Sequence, residues 1–226
     1  MTATIHKAGY RASMAAFFAT VLFVVVQGLQ LMRVLHYPAD EIAIYGFSLC
    51  IVIPFLVAML ALHYTCTPVK RFWSHGALIF TILYAVFASA NYVVQLATVI
   101  PARLRGEQQE IAVLVQTPHS LFWDFDAMAY IFMGLATLFA LPVFEKKGNQ
   151  RKVRVAFRAN AWVTPLIAFV YFYPTYSETL LLLGLPWAFT APWAMWALAM
   201  YFRSHFRYVN TGGSVDVRKQ QDRGNV

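Results

Sequence analysis

Charge is scarce in this chain, and acid is scarcer than base. Only 12% of the 226 residues are charged, with 10 Asp and Glu against 18 Lys and Arg. A soluble domain carries about 25% charged and about 45–50% apolar residues. Here 60% are hydrophobic and the mean hydropathy is +0.56. Both departures exclude an ordinary soluble domain.

Other shortages exclude particular chemistries. There are 2 cysteines and no CxxC pair, so neither a disulfide framework nor a thiol redox motif is expected. His63, Cys66 and His75 fall near one another, but structural zinc takes four regularly spaced ligands, and no metal site is expected. No lysine lies inside an apolar run, which removes a Schiff-base chromophore. No pair of histidines within the runs offers haem two axial ligands. No glycine-rich phosphate loop is present. No cofactor is implied.

What the chain has is long apolar runs. A membrane-spanning helix needs about 20 mostly apolar residues, and six such stretches fill the sequence. They fall at about 13–35, 42–63, 75–100, 121–144, 157–173 and 179–202. Pro101 marks the expected end of the third. Within lipid the backbone must satisfy its own hydrogen bonds. The runs lack the alternation of a barrel strand, so helices are the remaining choice. The expected fold is all-α: one six-helix membrane domain over residues 1–207, with a disordered polar tail over 208–226.

The basic residues give the chain a direction. Lys7 and Arg11 precede the first run. Lys70 and Arg71 lie on the second connection. Lys146, Lys147, Arg151, Lys152, Arg154 and Arg158 lie on or beside the fourth. Arg203, Arg207, Arg218, Lys219 and Arg223 follow the sixth run. Only Arg33, Arg103 and Arg105 of the 18 fall on the other side. Cytoplasmic connections are enriched in Lys and Arg, so both termini are expected in the cytoplasm and the protein in the cell membrane. The net charge of +8 is accounted for by this asymmetry, and no nucleic-acid partner is expected. Membrane lipid is the expected partner, together with a small amphipathic ligand.

Polar residues inside a span face the bundle interior or a water-filled cavity. At 100° per residue, Tyr84, Asn91, Gln95 and Thr98 form one stripe on the third helix. Asp126, Tyr130, Met133 and Thr137 form another on the fourth. Asn160, Thr164 and Tyr171 align on the fifth, and Gln27, Gln30 and Arg33 crowd the end of the first. The set Gln27, Gln30, Arg33, Asn91, Gln95, Asp124, Asp126, Tyr130 and Tyr171 therefore defines an expected outward-facing polar pocket. Asp124 and Asp126 point about 200° apart and cannot act as a pair. Asp126 belongs to the stripe, whereas Asp124 suits a helix N-terminus. Arg33 is the expected basic partner of one of them. The connection 102–120 is long for a compact bundle. It reads either as a helix on the membrane surface or as a lid over the pocket.

Three functions fit this pattern. The first is binding or moving a small amphipathic molecule or lipid through the pocket. The second is a membrane-embedded enzyme with Asp126 as general acid or base on a lipophilic substrate. The third is a structural or accessory subunit whose polar residues only join helices.

Overall fold

The computed structural model describes residues 2–148 and 150–223, with side chains for 3–148, 150–177 and 179–205. Six helices are long and apolar enough to cross a membrane, and no strand occurs among the described residues. They are α1 (Thr2–Leu31), α2 (Ala39–Thr65), α3 (Arg71–Val94), α4 (Leu121–Ala140), α5 (Gln150–Phe172) and α6 (Trp187–Arg223). Each packs on the next, and α6 returns to α1, so the six close into a ring. The alternating directions gather the basic connections at the end holding the N-terminus, called here the basic end. The connections after α1, α3 and α5 lie at the far end.

The helix bounds depart from the apolar runs for physical reasons. α1 starts at Thr2, because its polar first turns project beyond the apolar stretch and still form helix. Ser13 and Thr20 hide their hydroxyls by donating to Gly9 O and Ala16 O, both at 2.7 Å. α6 is continuous helix to Arg223, through the polar segment that composition assigns to a tail without structure. Side chains beyond 205 and residues 224–226 lie outside the described residues.

The third helix does not end at Pro101. A π turn at Gln95–Val99 follows α3, and helix resumes over Ile100–Arg105. Proline has no N–H to donate and its ring crowds the carbonyl four residues back. The widened turn just before it absorbs both, with Ile100 N–H reaching Gln95 O. The stop comes at Gly106. Its φ of +83° is left-handed backbone that glycine adopts freely. There Glu107 N donates to Ala102 O at 3.0 Å and Gly106 N to Arg103 O at 3.2 Å, closing the helix end.

Interhelical contact is made over small residues. A Cβ on Gly9 would stand 2.7 Å from the Phe202 ring where α1 meets α6. One on Gly134 would stand 1.7 Å from Thr164 Oγ1 where α4 meets α5. Such close approach is how helices gain van der Waals contact in lipid. The outer surface carries Phe18, Leu22, Val25, Ile53, Ile82, Val86, Trp162 and Phe189, all exposed. A band of this kind on successive helices is what lipid, rather than water, solvates.

Candidate functional site

The far end of α4 places the two aspartates. Ser120 caps the helix by accepting from Trp123 N at 3.3 Å. Asp124 sits exposed in the first turn, where a carboxylate suits the helix dipole. Asp126, two residues on, turns inward and is 5% exposed. The rest of its stripe follows: Met133 and Thr137 are buried and Tyr130 half-buried.

Asp126 is held by neutral donors. Tyr92 Oη donates to Oδ1 at 2.7 Å, Asn91 Nδ2 donates to the same oxygen at 3.4 Å, and Tyr171 Oη donates to Oδ2. α3, α4 and α5 thus meet on one carboxyl group. No ion pair reaches it among the described residues. A buried carboxyl without a cation depends on such donors for its stability. Tyr92 and Tyr171 are also the further titratable groups within hydrogen-bond reach of Asp126.

A covering segment lies above this cluster. After Gly106 the chain crosses the far end with a single 3₁₀ turn at Ala112–Leu114. It is fastened from below. Gln95 Nε2 donates to Leu114 O at 2.8 Å, and Gln116 N donates to Gln95 Oε1 at 3.2 Å. Asn91 Nδ2 donates to Gln116 Oε1 at 2.9 Å. Ile111 packs with Val99 and Ala102 in a small separate core. The connection is therefore no surface helix: Leu114 and Gln116 are hydrogen-bonded to Asn91 and Gln95. Asn91 and Gln95 are 0% and 1% exposed. Thr98, expected on the same stripe, is exposed, because the π turn rotates it off that face.

Below Asp126 lies a small cavity lined by Ser48, Ile51, Tyr84, Tyr92, Ala129, Tyr130, Met133 and Trp187. Its volume is ≈ 10 Å³, about the room for one water. Trp187 Nε1 and Asn91 Oδ1 are each buried without a partner among the described residues. The Trp187 ring stands edge-on to Tyr130, with centroids 5.0 Å apart.

The remaining expected site residues lie elsewhere. Gln27 Nε2 donates to Gln30 Oε1 at 3.0 Å, and Gln30 Nε2 donates to Asp40 Oδ2 at 2.9 Å. This ties α1 to the start of α2 and does not join the Asp126 cluster. The expected pairing of Arg33 with an aspartate does not form. Arg33 is exposed in the turn after α1, at φ +57°, and no ion pair involves it. Arg103 and Arg105 are the basic residues that pair at this end, Arg103 with Glu41 at 3.1 Å and Arg105 with Glu107 at 2.6 Å, and the Arg103 guanidinium lies 4.6 Å from the Tyr37 ring centre. The hydrogen bond from Arg105 holds the Glu107 carboxyl below its ordinary range.

Sequence reasoning missed Tyr92 and Gln116. Tyr92 follows Asn91 by 100° and falls off the stripe, although a tyrosine next to a buried polar face was a usable signal. Gln116 sits in a connection, where periodicity says nothing. Comparisons of the chain with protein-family models, with curated proteins and with solved structures find no match.

Proposed function

We propose that this is a multi-pass protein of the cell membrane, with both termini cytoplasmic. In this reading it binds or moves a small amphipathic molecule or lipid through a pocket at the far end, and residues 106–120 are the lid. The observation that carries the reading is the fastening of that lid. Three side-chain hydrogen bonds from Asn91 and Gln95 hold it directly over a buried carboxyl group. Buried ionisable groups in membrane spans are costly and mark functional paths. Trp187, which lines the cavity beneath, keeps a buried indole N–H without a partner among the described residues, a donor for a polar group once the site opens. In this reading a ligand enters as the lid lifts, since the cavity as it stands has room for about one water. Outward opening follows from the basic residues at the other end.

A second reading has its own support. The donors around Asp126 pair closely across three helices, as they would in an accessory subunit that uses polar residues only to join helices. A thermal-shift screen of the purified protein with lipids and small amphiphiles separates the two. The ligand reading expects a compound that stabilises the parent and loses its effect in Asp126→Asn. The accessory reading expects no stabilising compound.

A further inference from the structure

The basic end holds a second concave site, independent of the pocket just proposed. It lies where α4 stops, between the start of α3 and the first turns of α5. The cavity is ≈ 500 Å³ and is lined by Lys70, Pro142, Phe144, Glu145, Lys146, Lys147 and Arg154. Four cations face one acid.

Two of the cations are fixed by the backbone. α4 ends in a 3₁₀ turn at Leu141–Val143, where Phe144 N donates to Leu141 O at 3.3 Å and the other end carbonyls are left for side-chain donors. Arg154 Nη1 donates to Leu141 O and to Phe144 O, the latter at 3.0 Å. Lys70 Nζ donates to Val143 O at 2.9 Å and pairs with Glu145. The Lys70 ammonium holds the Glu145 carboxyl below its ordinary range. Arg154 spends one nitrogen on these carbonyls, and its Nε and Nη2 hydrogens make no bond among the described residues. Lys146 and Lys147 are exposed on the rim, with no ion pair among the described residues. A pre-set guanidinium flanked by exposed ammonium groups is the donor pattern that phosphate accepts.

The surroundings select the source of that phosphate. Phe72 and Trp73 on the first turn of α3 are exposed, and Trp73 leans on Phe139 of α4. Exposed aromatic rings at a span end mark headgroup depth. The apolar flank of the bundle begins directly beside the cavity, where acyl chains would lie. We propose that this cavity binds the phosphate of an anionic membrane lipid, with Arg154 and Lys70 as the fixed donors and Lys146 and Lys147 closing on it.

The test uses the full chain in neutral detergent, with binding read by thermal shift. The probes are short-chain phosphatidylglycerol, short-chain phosphatidylcholine and glycerol phosphate. Lys146→Gln/Lys147→Gln leaves the carbonyl bonds of Lys70 and Arg154 in place, so folding is preserved. Arg203→Gln, exposed on α6, controls for diffuse charge. Phosphatidylglycerol should raise the melting temperature of the parent and of Arg203→Gln, and phosphatidylcholine should not. The double variant should need about 25-fold more phosphatidylglycerol for the same shift, roughly fivefold for each lysine. Equal stabilisation by phosphatidylcholine overturns the proposal, as does an unchanged double variant. An equal loss in Arg203→Gln shows diffuse attraction and overturns the site. Equal stabilisation by glycerol phosphate overturns the lipid as its occupant. None of these outcomes depends on the far-end pocket.

Discussion

At the scale of residues, the account turns on Asp126 and on one glycine. Asp126→Leu would strand the hydroxyls of Tyr92 and Tyr171 in the bundle. A buried donor left unpaired costs about 1–3 kcal/mol, and membrane interiors lie at the lower end. Asp126→Leu should therefore lose about 2–4 kcal/mol in detergent unfolding. Asp126→Asn keeps an acceptor and should lose less than half as much. Equal losses would show that acceptor geometry is not what holds the group. Gly134 makes a separate case. A methyl there meets Thr164 Oγ1, Cβ and Cγ2 all within 3.0 Å. Gly134→Ala should lose about 1–3 kcal/mol through overpacking. Adding Thr164→Ala should recover only part, because Thr164 Cβ alone stands at 2.7 Å. The Asp126 stripe was legible in the sequence because Asp126, Tyr130 and Thr137 recur at helical spacing on an otherwise apolar helix. The Arg33 pairing was not, because a turn at positive φ carries that side chain away from α4.

At the scale of elements, the π turn and the lid belong together. Gln95 begins the π turn, and its side-chain amide bonds the covering backbone twice, Nε2 donating to Leu114 O and Oε1 accepting from Gln116 N. Gln95→Leu removes these bonds while leaving the packing of α3 on α2 and α4. Amide exchange at Gln116, which donates to Gln95 Oε1, should quicken by about tenfold, in keeping with one net hydrogen bond of about 1.4 kcal/mol. The melting temperature should move little. A large global loss with unchanged exchange at Gln116 would make Gln95 a helix joint and not a lid fastener. The sequence shows why a helix could end at Pro101 but not why it continues. A π turn has no compositional signature, and the proline only signals that the α register must yield. The long connection likewise read two ways, because its apolar run at Ile111–Val115 suits either a membrane surface or a packed cover. Only the partners of Leu114 and Gln116 separate those readings.

At the scale of the molecule, the spans were legible because length and hydropathy fix them with no knowledge of contacts. The closed ring was not legible: apolar runs do not say that α6 returns to α1. Nor do they say that the polar far-end residues divide into the Gln27–Gln30–Asp40 group and the Asp126 group. The sidedness rests on charge alone. A cysteine at Gln150, with Cys50 and Cys66 replaced by Ser, should resist an impermeant thiol reagent in intact cells and react once the membrane is opened. Labelling in intact cells would invert the topology and turn the lidded end toward the cytoplasm.

In the proposed function the lid controls access to the space below Asp126. Ser48 is buried on α2 and lines the cavity there, so Ser48→Cys reports on that space directly. The measurement is its rate of reaction with a small impermeant methanethiosulfonate, in the same cysteine-free background, with Gln95 intact or as Gln95→Leu. The account predicts slow labelling with the lid fastened and labelling at least tenfold faster with Gln95→Leu, the factor that about 1.4 kcal/mol of lost fastening gives. Equal rates in the two backgrounds, in protein that is folded in both, would contradict it.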